Sequence, residues 1–485
     1  MIKFGTGGWR SIIGEDFTKD NIRLLVQAMC NEIKDSHKDN KPVVIGYDRR
    51  FLSDIGAHWM CEVFAGNNIK VELIDKNAPT PLIMFEVKRQ KAHYGAAVTA
   101  SHNPALYNGV KIFTSGGRDA SMEITDEIEK YIENVSEVFS LDFDEAVEKG
   151  LVVKSDPSNE YIDAILAMVD SDAVRKKNLR VLLDPMYGVS KTSLQIILYT
   201  LRCNLDVIND RHDTLFGGRL PSPSAETLTH LKQKVLEEGY DIGIGTDGDA
   251  DRLGVIDDEG RFIHPNEILA LLYNYLYKYK GWKGDVVRNL ATTHLLDDMA
   301  ADFGAVCHEV PVGFKHISSA MERTDAVIGG ESSGGLTIRG HIRGKDGIFA
   351  ATLLIEMICV TNKKISEILN DIIVLEDTTR RQTSAEISYT YPNPFNYKSY
   401  FLSKPLIFFP YEANVGEEVD FNVYSIGMEL VYSNQMNIQL LPGDRQGVSW
   451  DGLDINGNKL ASGVYIYVIK DGDEVEKGKV VIFNE

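Results

Sequence analysis

The chain has 485 residues, of which 44% are hydrophobic and 25% are charged, and its formal net charge is −20. This length accommodates several domains of about 100–200 residues each, and the acidic excess argues against a nucleic-acid partner, which would require a basic face. No apolar run is long enough to suit a membrane span or a signal peptide, so we predict a cytoplasmic protein without a membrane partner.

The predicted elements alternate between strands and helices from the N-terminus onward. Residues 4–10 form a glycine-rich turn that ends in Arg10, and it is interpreted either as a phosphate-contacting loop or as a flexible terminus. Apolar residues at helical spacing predict a helix over 19–35. Apolar runs predict strands within 42–50 and at 71–74, and this alternation predicts α/β units with parallel or mixed sheets.

A strand over residues 95–98 leads into a polar segment that carries Ser101 beside His102 and within short reach of Lys111. We predict an exposed Ser101 hydroxyl at the end of this strand. Such a hydroxyl can act as a nucleophile or a phosphoryl carrier, because the strand holds it rigidly and its neighbours can move protons. The alternative is a surface turn whose polar side chains satisfy backbone groups.

Two further units repeat this strand-to-loop pattern. Residues 241–245 run into an acidic loop at 246–252, and residues 326–328 run into a glycine- and serine-rich loop at 329–335. The polar segment 154–159 is interpreted as a linker. Three such units at corresponding places indicate three related α/β domains whose loops meet in one cleft.

The acidic loop places carboxylates at Asp247, Asp249 and Asp251. Three oxygen ligands on one tight loop suit a hard cation, and Mg²⁺ is preferred where a phosphate adds further oxygens. An EF-hand is ruled out because its glycine and terminal glutamate positions carry other residues. The glycine pattern at 243–248 leads into a strand rather than a helix, which argues against a dinucleotide site. The remaining alternative is a purely structural acidic turn.

Residues 99–104 (Thr-Ala-Ser-His-Asn-Pro), followed by Asn108, Gly109 and Lys111, resemble the phosphoserine loop of the α-D-phosphohexomutases, the phosphoglucomutase/phosphomannomutase family. The resemblance covers about residues 1–375. It implies three tandem α/β domains with mixed sheets around a central cleft. We assign the first domain, with the phosphoserine loop, to residues 1–150. The second domain, with the metal loop, covers 151–256, and the third, with the sugar-binding loop, covers 257–376.

The resemblance also implies an activity. It is that of an Mg²⁺-dependent isomerase that interconverts hexose 1-phosphate and hexose 6-phosphate, with glucose as the expected hexose and mannose as the alternative. Hexose 1,6-bisphosphate is the implied intermediate and activator. The implied catalytic residues are Ser101, His102, Lys111 and Arg10. The implied metal ligands are Ser101, Asp247, Asp249 and Asp251. The implied substrate-binding residues are Thr6, Arg252, Lys315, Glu331, Ser333 and Lys345.

Several of these assignments have an alternative interpretation. Glu331 and Ser333 can serve sugar hydroxyls, which both donate and accept hydrogen bonds, but many glycine- and serine-rich loops bind nothing. Lys315 and Lys345 are equally well interpreted as solvated surface cations. Gly335 stands where several members of the family have histidine.

The character of the chain changes after about residue 376. Residues 377–390 are interpreted as a linker, and short alternating runs with Asp-Gly turns predict an all-β, immunoglobulin-like sandwich over 391–485. This tail resembles the FlgD-like immunoglobulin-type modules. It stands in place of the family's fourth domain, whose Arg-x-Ser-Gly-Thr-type loop grips the non-reacting phosphate. We find no such loop, and therefore expect weak substrate binding and a strong requirement for added bisphosphate.

A second hypothesis is a catalytically impaired sugar-phosphate-binding or scaffold protein whose β-module recruits a protein partner. The missing phosphate loop favours this hypothesis. The joint presence of Ser101, the three aspartates and Glu331 favours the enzyme, because a scaffold has no physical need for these groups together. Both hypotheses predict small sugar phosphates as ligands.

Overall fold

The computed structural model describes residues 2–5, 8–372, 395–396, 406–411, 413–425, 429–441, 445–472 and 474–483. The chain divides into two compact units, of which the first comprises Met1–Leu290 and Met299–Ile373. The second comprises Ala291–Asp298 and Val374–Glu485. None of the helices within the described ranges is long and apolar enough to cross a membrane.

The first α/β domain alternates strands and helices, as predicted. In chain order it contains β1 (Trp9–Ile12), α1 (Lys19–Asp35), β2 (Val43–Tyr47), α2 (Ser53–Gly66), β3 (Val71–Asn77), α3 (Thr80–Arg89), β4 (Tyr94–Val98), β5 (Tyr107–Thr114), β6 (Arg118–Asp119), α4 (Met122–Glu133), α5 (Phe143–Glu148) and β7 (Val152–Ser155). The strands form one sheet in the order β1-β5-β4-β2-β3-β7, with β6 beside β5. Because β4 pairs in parallel with β2 and antiparallel with β5, the sheet is mixed.

Glycines in two strands allow α3 to pack closely on this sheet. A Cβ atom on Gly95 would lie 2.3 Å from a methyl group of Val87, and one on Gly46 would lie 2.5 Å from Ile83. Since both partners belong to α3, side chains at these positions would push the helix away from the sheet. The close packing sets the position of Thr80, the first residue of α3, which faces the acidic loop.

The second and third α/β domains follow in the chain and belong to the first unit, except that Ala291–Asp298 of the third domain is grouped with the second unit. The second contains α6 (Ser158–Ala167), α7 (Ser171–Arg175), β8 (Arg180–Asp184), α8 (Lys191–Thr200), β9 (Asn204–Val207), a 3₁₀ turn (Phe216–Gly218), α9 (Thr229–Glu238), β10 (Ile242–Thr246), β11 (Leu253–Ile256) and β12 (Phe262–Ile263). The third contains α10 (Pro265–Lys278), β13 (Val286–Asn289), α11 (Leu295–Asp302), β14 (Cys307–Val310), α12 (Phe314–Thr324), β15 (Ile328–Gly330), β16 (Leu336–Ile338) and α13 (Gly347–Thr361). Their sheets have the orders β12-β11-β10-β8-β9 and β14-β13-β15-β16.

One supersecondary unit recurs in all three domains. In each, a buried strand (β4, β10 or β15) pairs in parallel with an earlier strand of its sheet. The same strand then pairs antiparallel with the next strand of the chain. The three connecting loops carry Ser101, the three aspartates and Glu331. This recurrence confirms the prediction of three tandem, related α/β domains with mixed sheets.

Two short edge strands extend the sheets beyond the expected boundaries. β7 pairs in parallel with β3, so the first sheet continues past residue 150, and segment 154–159 holds the end of β7 and the start of α6 rather than a linker. β12 pairs with β11, so the second sheet continues past residue 256. In β7 only Val152 is buried, and therefore the strand lacks the apolar run that identifies a central strand.

The second unit contains a β-sandwich, which confirms the predicted all-β C-terminal module. Its strands are β17 (Phe395–Asn396), β18 (Ile407–Pro410), β19 (Glu418–Ser425), β20 (Leu430–Asn437), β21 (Gln439–Leu441), β22 (Arg445–Trp450), β23 (Gly463–Asp471) and β24 (Glu474–Phe483). They form two sheets, β17-β24-β23-β19-β20 and β18-β22-β21, with antiparallel pairing except between β17 and β24. Aromatic residues from both sheets share the core, among them Phe409, Phe421, Trp450 and Tyr467. The predicted linker at 377–390 lies outside the described residues.

Candidate active site

Ser101 lies directly beyond β4, in the loop that joins β4 to β5. Its side chain is buried, and its hydroxyl donates a hydrogen bond of 2.8 Å to Oδ2 of Asp247 in the second domain. The prediction of an exposed hydroxyl was therefore wrong. The acidic loop covers the serine, and it approaches so closely that a Cβ atom on Gly248 would lie 2.7 Å from the carbonyl oxygen of Ser101.

The three aspartates of the acidic loop are fully buried, and one carboxylate oxygen from each lies within 4.8 Å of the other two. Oδ2 of Asp249 accepts hydrogen bonds from Thr80 (2.7 Å) and Lys111 (2.6 Å). Oδ2 of Asp251 lies 2.7 Å from Nζ of Lys111 and 2.9 Å from Nζ of Lys345. Two lysines thus neutralise much of the charge that this loop concentrates.

The remaining carboxylate oxygens indicate a cation site. Oδ1 of Asp249 and Oδ1 of Asp251 are buried without a hydrogen-bond donor among the described residues. A buried polar atom without a partner costs free energy, and a divalent cation would satisfy both atoms at once. Oxygen donors on a compact loop are the ligands that Mg²⁺ takes. The residues present therefore fit this ion.

The two lysines and the burial set the charge states of the loop. Burial alone would raise the pKa of Asp251, but Lys111, Lys345 and Arg252 together lower that pKa well below its ordinary value. Burial would likewise lower the pKa of Lys111, but Asp249 and Asp251 raise it above its ordinary value. Lys111 is therefore a permanent positive charge in this site rather than a proton acceptor.

His102 lies next to Ser101, with its Nδ1 atom 3.3 Å from the serine Oγ. Burial lowers the pKa of His102 to about 3, and the nearby charges of Arg252 and Arg10 act in the same direction. The imidazole is therefore neutral at physiological pH. A neutral imidazole offers one nitrogen that accepts a hydrogen bond and one that donates, but a pKa this low makes the ring a weak proton acceptor.

Arg10 reaches the serine loop from β1. Its guanidinium donates a hydrogen bond of 2.7 Å to Oδ1 of Asn103. The pairing of β1 with β5 brings Arg10 opposite Gly109, where a Cβ atom would lie 3.0 Å from the Cα of Arg10 and still closer to the carbonyl oxygen of Trp9. The glycine therefore allows the N-terminal strand to dock beside the site. The other predicted residue of this segment, Thr6, lies outside the described residues.

The third domain contributes a separate polar group. One carboxylate oxygen of Glu331 accepts hydrogen bonds from Asn289 (3.3 Å) and from the backbone of Gly313 (3.2 Å). The other accepts from Ser333 at 3.3 Å. These bonds hold Glu331 as a fixed hydrogen-bond acceptor, which suits recognition of a hydroxyl.

The remaining predicted contacts differ in their positions. Arg252 follows the aspartates directly, with its Nε 3.9 Å from Oδ1 of Asp251. Its backbone forms an isolated antiparallel β-bridge with Gly335 in the third domain. Lys345 reaches the aspartates, as described above, so it is not a surface cation. Lys315 is the second residue of α12 and contacts the sulfur of Met122 instead of an aspartate.

Thr80 is a site residue that sequence reasoning missed. Besides its hydroxyl contact, its backbone N–H donates to the carbonyl oxygen of Asp249 at 3.0 Å. In the sequence, Pro79 and Pro81 flank Thr80. Proline in the first turn of a helix is a start signal, so the sequence indicated that a helix begins at Thr80 but not that this residue contacts Asp249.

Comparisons with known proteins agree with this geometry. Family models of phosphoglucomutase/phosphomannomutase α/β/α domains I, II and III match residues 1–139, 159–260 and 264–374. A Thermococcus kodakarensis protein named phosphoglucomutase/phosphomannomutase is 32% identical over 372 residues, which cover 76% of this chain and 80% of that protein. A Sulfurisphaera tokodaii phosphoglucosamine/phosphogalactosamine mutase is 29% identical over 376 residues, which cover 76% and 79% of the two chains.

A solved structure shares the fold as well. The crystal structure of a Thermus thermophilus protein, described provisionally as a phosphomannomutase, superposes with a TM-score of 0.73 at 28% identity and covers 93% of this chain and 95% of its own. The family models, the relatives and this fold agree. The chain therefore belongs to the phosphoglucomutase/phosphomannomutase family and is an isomerase of the phosphohexomutase type.

Proposed function

We propose that this isomerase interconverts hexose 1-phosphate and hexose 6-phosphate, with glucose as the hexose, through phosphorylated Ser101 and a hexose 1,6-bisphosphate intermediate. The observation that carries the proposal is the 2.8 Å contact between the Ser101 hydroxyl and Asp247, beside carboxylate oxygens that lack donors. Phosphoryl transfer depends mainly on positioning and on neutralising charge. A serine held beside a cation site meets both needs.

The metal site of the proposal uses residues that the geometry brings together. The family is Mg²⁺-dependent, and Asp247, Asp249 and Asp251 would hold the ion with an oxygen on Ser101. When bound, Mg²⁺ supplies positive charge to the phosphoryl oxygens. Lys111 orients two of these aspartates through one oxygen of each, which leaves the second oxygen of each available.

The chain's own residues would handle charge and protons. Arg10, held at the serine loop by Asn103, would donate hydrogen bonds to phosphoryl oxygens. The neutral ring of His102, whose Nδ1 lies 3.3 Å from the Ser101 oxygen, would accept a hydrogen bond from the sugar hydroxyl and relay its proton as the sugar oxygen forms its bond to phosphorus. The low pKa of His102 favours passing the proton on over storing it. The bond between phosphorus and the Ser101 oxygen breaks in the same step, and the serine oxygen becomes a hydroxyl again when the proton is returned.

Sugar recognition is assigned to the third domain. Glu331 is held by its neighbours and Ser333 lies beside it, so together they offer an acceptor and a donor to sugar hydroxyls. The relatives carry the names phosphoglucomutase/phosphomannomutase and phosphoglucosamine/phosphogalactosamine mutase. Mannose and the amino sugars therefore belong in any substrate panel.

A second candidate is sugar-phosphate binding without turnover, with the β-sandwich as the contact surface for a protein partner. The absence of an Arg-x-Ser-Gly-Thr-type loop from the sequence favours it. A charge-assisted hydrogen bond contributes roughly 1.5–3 kcal/mol, so the loss of two or three such bonds would cost on the order of 3–9 kcal/mol of substrate binding. The FlgD-like character of the sandwich remains a prediction.

The proposal is tested by a coupled assay for glucose 6-phosphate formed from glucose 1-phosphate, with Mg²⁺ and glucose 1,6-bisphosphate present. We expect Ser101→Ala to abolish activity, while Ser193→Ala, which alters a buried serine of α8, retains it. Equal activity in wild type and Ser101→Ala would exclude the phosphoserine route. An inactive wild type on glucose, mannose and glucosamine phosphates would favour the binding protein.

A further inference from the structure

The guanidinium of Arg50 lies beneath the loop that carries Ser101. Its side chain is 0% exposed, and it donates hydrogen bonds to four backbone carbonyl oxygens of one short segment. The acceptors and distances are Ser101 (2.7 Å), Asn103 (2.6 Å), Pro104 (2.9 Å) and Tyr107 (3.0 Å). Each terminal nitrogen serves two carbonyls, so one planar group sets the course of the whole segment.

A second set of contacts fixes the guanidinium itself. Nε of Arg50 forms an ion pair with Oδ2 of Asp48 at 3.4 Å, and this oxygen accepts a hydrogen bond of 2.6 Å from the hydroxyl of Thr99. Oδ1 of Asp48 accepts from the hydroxyl of Ser53 at 2.7 Å. From the second domain, the ring of Phe216 covers the guanidinium at 4.8 Å. The arginine is therefore constrained by charge, hydrogen bonds and stacking.

The backbone of Ser101 needs such support. Its φ angle is +52°, which lies in the left-handed region that residues with side chains rarely adopt. A strained conformation of this kind persists only where the surroundings impose it. The hydrogen bond from Arg50 to the Ser101 carbonyl acts on this very residue.

We propose that Arg50 is a positioning residue for phosphoryl transfer, because it holds the Ser101 backbone in the left-handed conformation that directs the hydroxyl at Asp247. The proposal rests on the assignment of Ser101 as the phosphoryl carrier. Arg50 acts through the loop and touches neither substrate nor phosphate. Its removal should therefore slow the chemical step and leave substrate binding by the third domain nearly unchanged.

The neighbouring residue provides a matched control. Arg49 also donates to three backbone carbonyl oxygens, at 3.4, 3.1 and 3.5 Å, but these belong to Tyr187, Asp210 and Arg211 of the second domain. Substitution of either arginine by lysine keeps the charge and removes the planar fork of donors. A general cost of losing a half-buried or buried arginine would affect both variants. A specific effect on the serine loop would affect only Arg50.

The experiment compares wild type, Arg50→Lys and Arg49→Lys in the coupled assay and in the rate at which Ser101 gains labelled phosphate from glucose 1,6-bisphosphate. A displacement of about 1 Å at a reacting group costs about a hundredfold in rate. We expect kcat and the labelling rate of Arg50→Lys to fall roughly ten- to hundredfold, with KM within about threefold of wild type. Arg49→Lys should retain both rates, and thermal unfolding should show that all three proteins are folded.

The outcomes separate the two proposals. If wild-type Ser101 takes no label, the phosphoserine assignment fails and the role of Arg50 fails with it. If wild type is labelled and Arg50→Lys matches Arg49→Lys in both rates, the positioning role alone is overturned. Should Arg50→Lys not fold, Phe216→Leu provides the second test, because it removes the stacking and leaves the ion pair with Asp48 in place. A normal kcat in Phe216→Leu would then overturn the proposal.

Discussion

The substitution Gly335→Ala tests whether Lys345 acts inside the aspartate cluster. A Cβ atom at position 335 would lie 2.3 Å from Cδ and 2.9 Å from Cγ of Lys345, whereas ordinary contacts begin near 3.4 Å. The lysine stem therefore occupies the space that a side chain at 335 would need. This contact accounts for the glycine at position 335.

The size of the effect follows from this geometry. The lysine stem has to move by about 1 Å to relieve the contact, and Nζ now lies 2.9 Å from Oδ2 of Asp251. A shift of that size takes the ammonium out of hydrogen-bond range. Loss of a hydrogen bond to a charged group costs roughly 1.5–3 kcal/mol, which corresponds to about ten- to 150-fold in kcat/KM.

A double-mutant cycle in the coupled assay measures this directly. Gly335→Ala should lower kcat/KM about ten- to 150-fold. Lys345→Met, which keeps the stem and removes the charge, should lower kcat/KM at least as much. If the alanine acts only through Lys345, the double variant will match Lys345→Met. Two results would refute the reasoning: a Gly335→Ala enzyme within about twofold of wild type, or a double variant whose loss is the product of the two single losses.

Three further predictions follow from other parts of the first unit. Thr80→Val removes the hydroxyl that holds Asp249, so calorimetry should show Mg²⁺ binding about ten- to a hundredfold weaker than in the wild type. Thr80→Ser should bind Mg²⁺ nearly as the wild type does, and unchanged affinity in Thr80→Val would contradict the prediction. Burial raises the pKa of Glu72 to about 7, and the neighbouring Glu86 contributes to the same shift. The folded protein therefore holds a proton that the unfolded chain releases above about pH 4.3, so folding stability is lost as the pH rises through about 7. Urea unfolding should find Glu72→Gln more stable than wild type at about pH 8 and nearly equal at about pH 5; equal stability at both would disprove the assignment. Without added hexose 1,6-bisphosphate, turnover should decline as the phosphate on Ser101 is lost with released intermediate, and sustained activity over many cycles would show that the missing phosphate loop is replaced.

The parts of the structure that could be predicted from sequence are those with local signals. The buried strands ending at Val98 and Thr246 are short runs of small or apolar residues, and a polar or acidic loop follows each one. Their repetition indicated the domain organisation before any contact was known. The strand that ends at Ser155 was missed, because an edge strand with one buried residue carries no such signal.

The site contacts that were missed depend on residues far apart in the chain. Ser101 is buried because Asp247 and Gly248 cover it, and nothing near the serine in the sequence indicates that loop. Arg50 acts on backbone carbonyl oxygens, which every residue has, so its partners leave no pattern of residue types. Thr80 contacts Asp249 of another domain, and only the docking of the two domains reveals this contact.

The central claim is that Ser101 carries the phosphoryl group, and mass spectrometry of the purified protein tests it most directly. The protein would be incubated with glucose 1,6-bisphosphate and Mg²⁺, digested, and mapped for phosphate, with Ser101→Ala treated in parallel. We predict one phosphate on Ser101 in the wild type and none in the variant. A wild-type protein without phosphate on Ser101, or one whose phosphate lies on another residue, would contradict it.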